Sequence, residues 1–297
     1  MKKHLLVSAF AVALTTLAAG VQAQANDTLA KIKSSGKVVM GVRESSAPLS
    51  YTLGDGKYTG YHVELCQNIL KSVAPGATVE YTPVTSANRI PLVQNGTVDI
   101  ECGSTTNNAT RQKDVSFALT TYVTEVRTAV KATSKIKSIA DLEGKTVATT
   151  TGTTSVALLR KHKRGADIKF TEVYGKDHAD SFLLLESGRA DAFVMDDNIL
   201  AGLIASSKNP KDFTIVGETL NIEPIAIMVR KDDPAFKKAV DDYIRAAIKS
   251  GELNKLYSKW FLSPIPPKNT SVNLAMGSVL KDLLKNPSDA PAEEFNK

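Results

Sequence analysis

Residues 85–108 read TSANRIPLVQNGTVDIECGSTTNN. A short helical segment opens near Arg89, and Asn95-Gly96 stops it. A β-rich run, 97–102, then leads into the turn Gly103-Ser104-Thr105-Thr106. One helix–strand unit therefore carries Arg89 at one end and the hydroxyls of Ser104, Thr105 and Thr106 at the other. A helix start offers free N–H groups and the positive end of a dipole, both suited to an anion. The forked guanidinium of Arg89 adds bidentate carboxylate geometry. The stretch points to a small carboxylate held at the edge of an α/β sheet.

Upstream, 37–42 is another β-rich run, and 51–56 reads as a hairpin tip. Val63, Cys66, Ile69, Leu70 and Val73 share one helical face, which Pro75-Gly76 ends. A second strand is predicted over 78–84. The order βαβαβ is that of an open α/β sheet, where ligands bind beyond the carboxyl ends of the strands. Arg43, Ser86, Arg89, Ser104 and Thr106 all fall at or just after such ends.

Downstream a similar series starts near residue 128. A strand over 146–149 runs into Thr150-Thr151-Gly152-Thr153-Thr154, which enters a helix. There Thr153 and Thr154 can cap free N–H groups or leave them for an anion. A strand over 170–174 precedes His178 and a helix with Phe182, Leu183 and Leu185. Another, over 190–195, closes on Asp196-Asp197. Two such series, each with polar residues at its edge, predict two lobes sharing one ligand. A strand over 225–229 follows, then a helix opened by Asp232-Asp233-Pro234 and ended by Gly251, and an apolar stripe of Leu253, Leu256, Trp260 and Phe261. The tail offers one short helix, 276–284, and a Pro-, Asp- and Glu-rich end whose composition reads as poorly ordered.

The beginning of the chain reads as an address. Met1-Lys2-Lys3 is basic, 5–19 is apolar but short for a membrane span, and Ala23 and Ala25 each complete a small-x-small pattern. We expect a secretory signal over 1–25 and a protein working outside the cytoplasm, in the periplasm. Removing Lys2 and Lys3, and no acid, lowers the formal charge from +6 to +4. The charges are interspersed and aromatics are 6% of residues, so no basic, aromatic-laced stripe argues for nucleic acid. Cys66 and Cys102 are the only cysteines. Export permits a disulfide between them, and two small buried side chains is the plainer reading. Their spacing fits no metal motif, and no cofactor is expected.

The runs GVRESSAPLSY, TSANRIPLVQNGTVDIECGSTTNNATRQ, KDHADSF, SGRADAFVMDD and WFLSPIPPKN, with the GTTS turn, resemble the glutamate/aspartate-binding periplasmic proteins of ABC transporters over essentially the whole mature chain. The resemblance implies a two-lobe periplasmic binding protein (type II), each lobe an open α/β sheet flanked by helices, joined by two crossing strands. It places lobe 1 at 26–124 plus 222–262, lobe 2 at 125–221, and a C-terminal extension at 263–297. It implies a monomer that takes L-glutamate and/or L-aspartate to a membrane permease.

By the same resemblance Arg89 clamps the ligand α-carboxylate, with Thr106, Thr153 and Thr154 beside it. Asp196 receives the α-ammonium with Ser104. Arg43, Ser86 and His178 surround the side-chain carboxylate. Leu49 stands where relatives often carry an aromatic, which leaves Tyr51 as a candidate to stack on the ligand. Arg43, Arg89 and Asp196 sum to +1, complementary to an acidic amino acid. His178, at an ordinary pKa of about 6.5, predicts tighter binding as pH falls toward about 6. Singly, each residue has a plainer role as a cap, a turn former or a surface ion pair. Their joint placement favours binding. The alternative is a secreted, dehydratase-like enzyme on a small carboxylate, with His178 or Asp196 as its acid or base.

Overall fold

The computed structural model describes residues 27–296. The expected secretory signal, 1–25, lies outside the described residues. Elements begin where local chemistry dictates. Strand β1 (Lys37–Val42) is apolar and buried toward its end, and helix α1 (Tyr61–Val73) buries the predicted Val63, Cys66, Ile69 and Leu70. Strand β2 (Thr78–Pro83), helix α2 (Arg89–Gln94) and strand β3 (Ile100–Glu101) follow. The predicted run 97–102 is thus shorter as a ladder. Its flanks still bond β1 and its neighbours, Asp99 N–H to Val39 O at 2.9 Å and Cys102 N–H to Gly41 O at 2.9 Å.

Strand β4 (Val115–Phe117) leads to the long β5 (Tyr122–Lys131), which starts ahead of the expected residue 128. Then come β6 (Thr146–Thr150), α3 (Thr154–Gly165), β7 (Thr171–Gly175), α4 (His178–Glu186), β8 (Ala192–Asp196) and α5 (Asp197–Ser206). Strand β9 (Phe213–Ile225) returns the chain to β10 (Met228–Arg230), α6 (Pro234–Ser250) and α7 (Glu252–Tyr257). Pro234 at the first turn and Gly251 at φ 77° bound α6 as expected. Residue patterning did not predict β9, where the exposed pair Glu218-Thr219 and the irregularity between Val216 and Asn221 interrupt any apolar alternation.

There are two five-stranded sheets, ordered β2-β1-β3-β10-β4 and β7-β6-β8-β5-β9. In each, the strands around the first βαβ unit are parallel and the last two are antiparallel additions. Buried clusters lie on both faces of each sheet, so both are packed open α/β sheets. Strands β5 and β9 pair antiparallel from Tyr122↔Ile225 to Lys131↔Phe213, with an irregularity between Val216 and Asn221. They are the two strands that pass from one sheet to the other.

Two expectations resolve here. Cys66 on α1 and Cys102 after β3 form a disulfide, with Cα atoms 6.3 Å apart. The tail corrects the reading from composition. Helix α8 (Ser278–Lys285) buries Leu280 and Leu283, and the residues after it are packed rather than loose. Thr120 N–H bonds Ser288 O, and Ala292 N–H bonds Asn107 O, each at 2.9 Å. Asn296 donates to and accepts from the backbone of Ile222 on β9. Composition counts side chains, whereas this segment is held mainly through its backbone.

Candidate functional site between the two sheets

The polar residues arrive at one place because the parallel strands end there. Arg43 follows β1, Ser86 follows β2, and Ser104 and Thr106 follow β3. Thr153 and Thr154 follow β6, His178 follows β7, and Asp196 ends β8. Ser86, Arg89, Ser104, Thr106, Thr153, Thr154, His178 and Asp196, with Met195, line one small cavity with about 200 Å³ of space unfilled by protein atoms, part of it open to solvent. First-sheet and second-sheet residues thus face each other across it.

Arg89 is 2% exposed. Its Nη1 donates to Ser104 O at 3.2 Å, and its Nε has no partner. Among the described residues no carboxylate lies within ion-pair distance of it. Burial, then the neighbouring Arg111 and Arg43 cations, push its pKa well below the ordinary guanidinium value. Glu101 and Asp196 oppose the shift without overcoming it, and since a guanidinium keeps its proton in proteins, Arg89 is a buried cation that no ion pair neutralises.

Arg43 is fully buried but stands one layer behind the cavity wall. Its Nη1 donates to Ser104 Oγ at 3.2 Å and its Nη2 to Ser86 Oγ at 3.0 Å. Nη2 also meets Asp177 Oδ1 at 2.6 Å and His178 Nε2 at 3.2 Å. A guanidinium only donates, so His178 Nε2 accepts and the ring proton sits on Nδ1, 3.0 Å from Thr150 Oγ1. Burial and Arg43 together hold the His178 pKa down at about 3. This corrects the expected titration near pH 6: His178 is a neutral, oriented imidazole.

Behind the lining residues the two lobes are bridged through the crossing strand. Glu223 Oε2 accepts from Thr106 Oγ1 at 2.6 Å and from Thr154 Oγ1 at 2.8 Å. Arg111 reaches Thr106 O at 2.9 Å and Gly152 O at 3.3 Å. Asp196 is buried beside Glu223 and Asp197, and burial first, then those carboxylates, raise its pKa well above the usual range. Thr153 turns its hydroxyl back to Thr150 O at 2.8 Å. Tyr51 points away, donating to Pro266 O at 2.8 Å, and Leu49 is core. Tyr51 therefore does not take up the stacking position.

Reading from residue types missed Arg111, Asp177 and Glu223. Asp177 had a signal, being next to His178 at the N-cap of α4. Arg111 lies in the quoted ATRQ run, and Glu223 lies on the unpredicted β9. One added cation and two added carboxylates take the formal charge of the set from +1 to zero, with all carboxylates ionised. The raised pKa of Asp196 moves it back toward positive.

Two open α/β sheets, joined by paired strands and flanking a small cavity lined by a guanidinium with no ion-pair partner, define a two-lobe receptor for a small anion-bearing ligand. The chain belongs to the bacterial extracellular solute-binding proteins, family 3, whose profile matches residues 38–263. It is 45% identical to the L-glutamate/L-aspartate-binding protein of Pseudomonas aeruginosa over 297 residues, 98% of each chain. It is also 45% identical to the glutamate/aspartate import solute-binding protein of Escherichia coli K12, covering 95% of this chain and 97% of that one. Among solved structures it resembles the ancestral amino acid-binding protein AncCDT-1, a precursor of cyclohexadienyl dehydratase. The TM-score is 0.69 at 30% identity, over 79% of this chain and 99% of that one.

Proposed function

We propose that this protein is a periplasmic receptor that closes on L-glutamate and/or L-aspartate and delivers it to the permease of an ABC transporter. The observation that carries the reading is the buried Arg89 guanidinium, lining the inter-lobe cavity without a carboxylate partner. A ligand α-carboxylate supplies that partner, and Asp196 across the cavity accepts the α-ammonium. The ligands for which these relatives are named support the choice of an acidic amino acid. Arg43, Ser86 and His178 hold the side-chain carboxylate in this reading, Arg43 by exchanging part of its bonding with Asp177. We assign 26–124 plus 222–262 to lobe 1, 125–221 to lobe 2 and 263–297 to an extension. We also assign 1–25 to a cleaved signal. Calorimetric titration of refolded, ligand-free protein with a panel of amino acids and dicarboxylates tests the reading. Glutamate or aspartate should bind tightest, and a panel in which neutral or basic amino acids win rejects it.

One observation favours a second reading. The raised pKa of Asp196 suits a general acid, and a solved relative is a dehydratase precursor. NMR of protein and ligand after long incubation separates the two: a receptor leaves the amino acid unchanged.

A further inference from the structure

The seam between the lobes carries a contact that ligand binding does not use. Residues 264–274 lie beyond the family-matched region and are pinned to the first lobe. Tyr51 Oη donates to Pro266 O at 2.8 Å, Leu274 N–H to Phe261 O at 3.2 Å, and Tyr257 Oη to Leu274 O at 3.1 Å. From this anchored loop Lys268 reaches the other lobe. Its Nζ lies 2.6 Å from the carbonyl of Ser207, the C-cap of α5. A cation there meets an unpaired carbonyl and the negative end of the helix dipole.

The same helix approaches the first lobe closely one turn earlier. A Cβ on Gly202 would stand 2.5 Å from Ala47 O. Only glycine lets α5 lie against that turn. The seam is otherwise loosely filled, because a largely apolar cleft of about 760 Å³, part of it open to solvent, separates these segments.

We propose that Lys268 is a closure latch. It is a positioning residue that holds the second lobe against the first through the end of α5, without touching the ligand, and Gly202 provides the clearance that lets it engage. The proposal rests on the two-lobe receptor reading. Apparent affinity is the intrinsic affinity scaled by the population of the competent, closed state. A contact made only in that state slows ligand escape and leaves encounter with the open form alone.

The test measures association and dissociation of L-glutamate and L-aspartate on the full chain, wild type against Lys268→Met, Lys268→Arg and Gly202→Ala. Lys268→Met should raise koff about 2- to 10-fold, the effect of one net hydrogen bond, with kon and the ligand-free Tm unchanged. Lys268→Arg should restore wild-type koff. Gly202→Ala improves helix propensity, so the ligand-free fold should persist while binding weakens. A Lys268→Met koff equal to wild type overturns the latch. So does a raised koff accompanied by a lower ligand-free Tm and no rescue by arginine. A wild type that binds neither amino acid overturns the receptor reading beneath it.

Discussion

Arg43 and Asp177 meet across the cleft at 2.6 Å, joining the end of β1 in one lobe to the N-cap of α4 in the other. Ser45 Oγ holds the second oxygen of Asp177 at 2.7 Å. The arginine assigned to the ligand side chain therefore already has a carboxylate partner. Its contribution to ligand binding is a competition, and its removal strands Asp177 in a largely buried position.

That competition sets the specificity experiment. Arg43→Met should lower the glutamate-to-glutamine affinity ratio by about tenfold or more, roughly 1.4 kcal/mol, because a neutral amide never required the charge. The single variant should also lose ligand-free stability, since breaking a buried pair leaves a lone charge. Arg43→Met with Asp177→Asn should keep the lowered ratio and recover the stability. Titration calorimetry and urea unfolding on both variants measure the two effects. An unchanged ratio removes Arg43 from side-chain recognition.

Arg89 makes the opposite trade. Arg89→Met should cost every amino acid ligand alike about 2–5 kcal/mol, the loss of a buried charge partner. The same change should raise the ligand-free Tm, because it deletes a buried guanidinium that makes no ion pair among the described residues and whose charge burial and the neighbouring Arg111 and Arg43 disfavour. Calorimetry and thermal melts of ligand-free protein check both. Normal binding by the variant removes Arg89 as the clamp.

The pH behaviour follows from two buried histidines. His178 is held at about 3, and burial holds His62 at about 4 despite its bond to Gly103 O. Both folded-state values lie below the unfolded 6.5. The unfolded chain then binds more protons, so this contribution to stability is present above about pH 6.5 and is lost as pH falls toward about 4. Asp196, whose pKa is raised, acts with the opposite sign. The urea midpoint of Asp196→Asn should therefore fall from about pH 7 to about pH 5. NMR titration should leave both ring signals neutral over that range. Affinity should show no His178-dependent tightening toward about pH 6, and a ring titrating near 6 would reinstate one.

The disulfide closes a loop between residues 36 positions apart. Replacing Cys66 and Cys102 together by Ala should lower unfolding stability by about 2–4 kcal/mol, through the freer unfolded chain. Denaturant unfolding of the double variant checks this. Ligand affinity should stay within about threefold of wild type, roughly 0.7 kcal/mol, since neither sulfur reaches the cavity.

Local chemistry made most elements legible. Apolar spacing placed α1 and α6, and Pro234 and Gly251 bounded α6. The strand-end positions of Ser86, Arg89, Ser104, Thr106, Thr154, His178 and Asp196 followed from the βαβ order alone, because a parallel sheet brings its carboxyl ends together whatever lies between. The crossing strand β9 was not legible from residue patterning, and only the family resemblance implied it. Much of it is half-buried, its register with β5 shifts between Val216 and Asn221, and it takes its partner from β5, so its own side chains do not announce it.

Tertiary structure decided the electrostatics. Asp177 reaches Arg43 over 134 positions, and Glu223 reaches Thr106 over 117. No spacing rule spans such distances, since periodicity carries information only within an element. The state of His178 belongs to the same category. Its pKa and tautomer come from desolvation and from a guanidinium folded against it, neither of which exists until the lobes are packed.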